Sequence, residues 1–212
     1  MREDIILFED FSKAEYDQKL EWFEQPKEWR IDSTKSELVI ESEKETDFWQ
    51  NTHYGFQADN GHFLHCKLTG DFTITTKVTA NPINRYDQSG LMVRFSKDSW
   101  IKSSVEHIPD GNDKLGAVVT NYGYSDWSTQ EIENKDNTHF FRITKVDHDF
   151  YVDYSRDGLN WKQIRIAHLF EDQTNSIDAG IYACSPQGKG YQANFDFIKI
   201  QSIKDKDSSV YL

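Results

Sequence analysis

Arg94, Lys102 and Glu106 have the residue types and spacing to build a chemical site. Successive side chains of a β-strand point to opposite faces. In Gly90 to Ser96, Leu91, Val93 and Phe95 therefore share one face, and Met92 and Arg94 take the other. In the next run Ile101, Ser103 and Val105 face one way and Lys102, Ser104 and Glu106 the reverse. Joined as a hairpin, the two runs place a guanidinium, an ammonium and a carboxyl on one polar sheet surface. Such a surface is either a solvated face with cross-strand ion pairs, each worth some tenths of a kcal/mol, or the floor of a binding site. Trp100, Tyr86 and Gln88 lie close in sequence and supply the aromatic faces and forked hydrogen-bonding groups that sugar rings require.

Two further segments carry aromatics among polar side chains. Asp47 to Gly55 holds Trp49, His53 and Tyr54, and Asn121 to Ser128 holds Asp126 and Trp127. Each is either a rigid cap on the edge of the fold or part of a site. The candidate ligand-binding set is thus Trp49, His53, Tyr54, Tyr86, Gln88, Arg94, Trp100, Lys102, Glu106, Asn121, Asp126 and Trp127. Glu106 is the candidate acid or base of a glycan-active enzyme, with Asp47, Asp126 or Asp87 as the second carboxylate. No Gly-x-Ser-x-Gly elbow occurs. His53 and His62 lack the close partners of a metal site, and there is no Asp-rich calcium loop, so neither a metal nor a cofactor is expected.

The elements that must position these residues are strands. Short alternating runs rich in Val, Ile, Thr, Phe and Tyr recur between turn signals, which predicts about a dozen strands. They are Ile5 to Phe8, Glu37 to Ser42, His62 to Leu68, Phe72 to Ala80, Gly90 to Ser96, Trp100 to His107, Leu115 to Asn121, His139 to Val146, Phe150 to Ser155, Trp161 to Ala167, Ile177 to Cys184 and Tyr191 to Ile200. Helical turns are expected only at Lys13 to Phe23 and His168 to Asp172, so no helical layer can cover a parallel sheet. Two antiparallel sheets must pack on each other. Asp110-Gly111-Asn112-Asp113, Asp147-His148-Asp149 and Asp157-Gly158 supply hairpin turns. No linker interrupts the chain, which reads as one domain over residues 1–203 with a loose tail at 204–212.

The net charge of −12 disfavours nucleic acid and anionic membrane surfaces, both of which call for clustered cations. The apolar run at Ile5 to Phe8 is too short for a signal or a membrane span, which points to a cytoplasmic protein. Cys66 and Cys184, far apart and without metal spacing, read as buried free thiols.

The order of these segments resembles the DUF1349 family. The resemblance is carried by Thr46-Asp47-Phe48-Trp49, Thr52-His53-Tyr54-Gly55, Tyr86 through Arg94, Trp100-Ile101-Lys102, Glu106, Leu115 through Asn121 and Ser125-Asp126-Trp127-Ser128. It implies a concanavalin A-like jelly-roll sandwich, with ligands on the concave sheet or its rim loops, and kinship with fungal proteins described as regulators of enolase. It brings no catalytic residues to transfer. Three functions stay open: binding of a carbohydrate or sugar phosphate on the polar face, glycan-active catalysis through Glu106, and interaction with a protein partner that regulates a metabolic enzyme. The chain is expected as a monomer or a homodimer.

Overall fold

The computed structural model describes residues 4–133, 136–171 and 176–204, and among these it contains seventeen strands and no helix. In chain order they are β1 (Ile5–Glu9), β2 (Glu21–Phe23), β3 (Glu28–Asp32), β4 (Glu37–Glu41), β5 (Phe48–Gln50), β6 (Gln57–Asp59), β7 (His62–Thr69), β8 (Phe72–Asn81) and β9 (Gln88–Ser96). They continue with β10 (Ser99–Glu106), β11 (Asp113–Asn121), β12 (Tyr124–Ile132), β13 (Thr138–Val146), β14 (Asp149–Ser155), β15 (Lys162–His168), β16 (Ser176–Cys184) and β17 (Gln192–Ser202).

Two large antiparallel sheets form a sandwich. One runs β15-β14-β13-β8-β17-β4-β3, with β1 also paired to β17. The other runs β12-β11-β10-β9-β16-β7-β2, and β5 and β6 make a separate small hairpin. β17 spans the whole of β8 on one edge, while β4 and β1 share its other edge end to end, β4 opposite Gln192–Phe195 and β1 opposite Ile198–Gln201.

Period-two alternation builds the core between the sheets. Leu91, Val93, Ile101, Val105, Leu115, Ala117 and Val119 meet Ile74, Phe141, Ile143, Phe150, Phe195 and Ile198 in one buried cluster. Each large apolar side chain fully buried there contributes about 1.5–3 kcal/mol relative to exposure. The opposite face of the seven-stranded sheet is not simply polar. Phe63, Met92, Trp100, Val118, Tyr182 and Cys184 project from it and form a second buried cluster with Phe48 of β5, flanked by Phe23 and Trp49.

This second cluster exists because β5 and β6 fold back over the sheet, a feature that the polar Asp47–Gly55 segment conceals in sequence. β2 and β12 also escape the sequence reading, since both are edge strands with little or no fully buried side-chain surface. The helical turn expected at Lys13 to Phe23 is instead a series of bends ending in β2, whose Trp22 and Phe23 pair with Leu64 and Phe63. No helix forms at residues 168–171, and Asp172 lies outside the described residues, as do residues 205–212 of the expected tail. Asp157-Gly158 makes a turn with Gly158 at φ 72°, and the Arg142 guanidinium lies 4.4 Å from the centre of the Trp161 ring. Cys66 and Cys184 are buried and unpaired. Among the described residues no helix is long and apolar enough to cross a membrane.

Gly180 shows how closely the sheet backbone is packed. A Cβ at this position would sit 1.9 Å from the Leu64 carbonyl oxygen and 2.6 Å from the His65 Cα. These are backbone atoms of the paired strand and cannot swing aside. Gly180→Ala is expected to lower stability by roughly 2–3 kcal/mol, as overpacked core positions do, seen as a lower urea midpoint; an unchanged midpoint would show that β7 and β16 can separate at no cost.

Candidate functional site

The outward side chains of β9, β10 and β11 form the floor of a cleft of about 390 Å³. Antiparallel register sets the floor out in rows. One row runs Met92, Lys102, Val118, Trp127, and another runs Gln88, Glu106, Lys114. Between them Ser104 lies opposite Gly90 on one side and Gly116 on the other, so the row separating Lys102 from Glu106 is low. The walls come from three places. Trp49, His53, Tyr54 and Phe56 belong to the β5–β6 hairpin, Tyr86 and Trp127 stand at the opposite rim, and Pro186 and Gln187 follow β16.

The hairpin is anchored at both ends. Lys102 Nζ donates to Asp47 Oδ1 at 2.9 Å, just before β5. Arg94 makes a two-pronged pair with Asp59 of β6 at 2.7 and 2.9 Å, and its guanidinium lies 4.7 Å from the centre of the Phe23 ring. Farther along, the Gln50 backbone N–H donates to Ser125 Oγ, and Asn51 Nδ2 donates to the Gly123 carbonyl. The loop between the strands holds Asn51, His53 and Tyr54 in the left-handed region, at φ 51°, 63° and 56°. Non-glycine residues seldom adopt that conformation, and it costs of order 1 kcal/mol or more for each, so such residues persist where the surroundings fix them. Here they turn Tyr54 outward, 84% exposed, beside His53 at a ring separation of 4.0 Å. Trp49 is held from behind, its indole N–H donating to the Thr52 carbonyl at 2.7 Å.

At the other rim, Asp87 is buried and commits its carboxylate to the backbone N–H groups of Ile83 and Asn84 and to the Ser185 hydroxyl. That turn sets Tyr86 at φ 67° with its ring edge-on to Trp127, the centres 6.2 Å apart. Gln88 is held at both ends of its amide, which donates to the Tyr86 carbonyl and accepts from the Tyr182 hydroxyl.

The charges on the floor are unusual. Lys102 is 2% exposed and Glu106 8%. Burial works against the Lys102 ammonium, but the acidic groups around it, Asp47 foremost, together outweigh it and hold Lys102 above its ordinary value. Burial pushes the Glu106 carboxyl from 4.5 up to about 8, with Lys102 opposing that rise and Asp47 adding to it. Glu106 therefore stands neutral near pH 7. Its side chain makes no hydrogen bond to any described residue while it lines the cleft.

Of the twelve residues singled out from the sequence, the fold gathers Trp49, His53, Tyr54, Tyr86, Gln88, Lys102, Glu106 and Trp127 around this cleft. The other four lie elsewhere. Arg94 is locked under the hairpin by Asp59, Trp100 is wholly buried in the second apolar cluster, and Asn121 bonds the His168 carbonyl and the Phe170 N–H. Asp126 pairs in register with Val119, on the core-facing side, and reaches Arg165 at 3.4 Å. Phe56, Val118, Pro186 and Gln187 were not foreseen. Strand alternation could have found Val118, which shares its row with Lys102, whereas the other three enter through loops with no periodic signal. Among the described residues no cluster of three His, Cys, Asp or Glu side chains is placed to hold a metal ion.

Comparisons place this architecture among known proteins. The chain is 32% identical over 174 residues to "Regulation of enolase protein 1" of Saccharomyces cerevisiae (strain ATCC 204508 / S288c), covering 82% of this chain and 85% of the relative. A solved structure described as a functionally unknown protein from Saccharomyces cerevisiae superposes with a TM-score of 0.80 at 30% identity, over 88% of this chain and 98% of that one. A xylan beta-1,4-xylosidase from Bacillus halodurans C-125 has a TM-score of 0.73 at 11% identity, with 92% of this chain matching 39% of that chain, a likeness of fold alone. A model of the family described as "Protein of unknown function (DUF1349)" matches residues 22–203. The chain belongs to the DUF1349 family.

Proposed function

We propose that this protein is a binding module for a carbohydrate, seated in the cleft between the β5–β6 hairpin and the Tyr86–Trp127 rim. One observation carries the reading: a polar floor of Lys102, Gln88 and Glu106 is enclosed by Trp49, Tyr54, Phe56, Tyr86 and Trp127. Ligand sites are predominantly apolar and aromatic concavities with a few placed polar groups that fix orientation. Sugars present both an apolar ring face and a fringe of hydroxyls, so they suit such a lining. The cleft volume lies within the range of small-ligand pockets, roughly 300–1,000 Å³.

Catalysis fits less well. Two-carboxylate hydrolysis needs a second free carboxyl facing the first. Asp87 is consumed by its turn, Asp126 belongs to the other face, and Asp47 is paired with Lys102. The name of the yeast relative motivates a protein partner, which can be sought by the same means used for the ligand.

The test is a thermal-shift screen against mono- and oligosaccharides, followed by titration calorimetry of any hit. A ligand that binds only the native state must raise the melting temperature by mass action. Trp49→Ala and Trp127→Ala are each expected to weaken a hit by roughly 10-fold or more, in line with the loss of an aromatic binding anchor. A panel without a single hit at millimolar concentration would overturn the carbohydrate reading and favour a protein ligand.

A further inference from the structure

The charge balance of the cleft narrows the ligand class. Lys102 is the lone Lys or Arg among the described residues lining the cleft, and its charge is already matched by Asp47 at 2.9 Å. Arg94 and Lys114, also on this face, are matched by Asp59 and Glu131 and do not line the cleft. A phosphate or carboxylate entering the cleft would meet no uncommitted Lys or Arg. It would also approach a chain of net charge −12, which repels anions at long range. Both Gln88 amide atoms are occupied by Tyr86 and Tyr182. On the floor the carboxyl of Glu106 and the spare N–H donors of Lys102 are left for a ligand, on either side of the low Ser104 row.

We infer that the sugar unit held here is uncharged, and that Glu106 meets it as a hydrogen-bond donor through its carboxylic O–H while Lys102 donates to a second hydroxyl. This rests on the carbohydrate reading above. A neutral hydroxyl accepts from Lys102 without disturbing the charge balance with Asp47. Ionising Glu106 would remove the donor and place a negative charge on the buried floor beside Asp47, which is costly.

The groups around Glu106 leave few other candidates for such a switch. Lys102 lies on its own strand, Asp47 faces it from the hairpin, and Tyr182 and Cys184 approach from β16, both pushed well above their ordinary values mainly by burial. Lys114, its neighbour in register on β11, extends to Glu131 at 2.8 Å. His53 stands at the rim.

Calorimetric titrations with xylotriose and cellotriose, set against glucose 6-phosphate and glucuronate, test the inference. A neutral trisaccharide is expected to bind, with the two anionic sugars at least about 10-fold weaker. Raising the pH from about 7 to about 9 should weaken neutral-sugar binding roughly 10-fold, as loss of one required proton dictates. Glu106→Gln carries a donor without a titrating group, so its sugar binding should show a flat pH profile, whereas His53→Gln should keep the slope. Tighter binding of an anionic sugar, or a flat profile in the unaltered protein, overturns the neutral-ligand inference and leaves the carbohydrate reading standing. Failure of every sugar to bind overturns both.

Discussion

Lys102→Met is expected to destabilise the protein by about 3–5 kcal/mol at neutral pH, the usual cost of stripping one partner from a buried ion pair. Lys102 is 2% exposed and its partner Asp47 has a side chain 14% exposed. Without the ammonium, the Asp47 carboxylate keeps only its contact with the Phe48 N–H. The hairpin that carries Trp49 then loses the anchor at its start, so sugar binding should be lost along with stability. Much of the effect is the cost of an orphaned charge rather than the worth of the pair, and the double variant separates the two. Lys102→Met with Asp47→Asn removes both charges and should recover more than half of the lost stability, because buried pairs are often replaceable by neutral groups at little cost. Urea unfolding of the four proteins measures this. If the double variant is as unstable as the sum of the singles, Lys102 and Asp47 are not coupled and the anchor lies elsewhere.

Glu106→Gln should act in the opposite direction and stabilise the fold, increasingly so as the pH rises. The folded-state value of Glu106 is raised from 4.5 to about 8. A group raised in this way gives the native state its full contribution below 4.5, and that contribution drains away as the pH climbs towards 8. The slope is about 1.4 kcal/mol per pH unit for one proton. By pH 7 the loss is roughly 3 kcal/mol, and it levels off above the folded-state value. The amide of the variant carries no such linkage, so the stability difference between the two proteins should be small at about pH 5, large at about pH 8 and constant beyond. Parallel stability curves across that range would mean that Glu106 titrates normally and that the cleft floor is wetter than its burial suggests. A protein that keeps a residue despite this loss holds it for something other than stability, which is consistent with the donor role inferred for Glu106.

Much of the architecture was legible from alternation alone. The runs from Phe72 to Ala80, Gly90 to Ser96 and Trp100 to His107 alternate so regularly that strands, and their inward and outward faces, follow from a local period of two. β2 and β12 were not legible for the converse reason. Edge strands bury little, so they carry little apolar pattern, and they are strands only because β7 and β11 offer them unpaired backbone.

The sequence by itself determined that this is an all-β sandwich of antiparallel sheets and that Arg94, Lys102 and Glu106 share one face of it. Only the tertiary structure decided that the face is covered, that Arg94 serves as an anchor while Lys102 and Glu106 reach the cleft, and that Asp59 and Asp47 are the counter-charges. The physical reason is range. Side-chain alternation is set by the backbone within a strand, whereas the neutralising carboxylates come from 35 and 55 residues away, on a hairpin whose docking depends on Phe48 finding Trp100 and Tyr182 across the sheet.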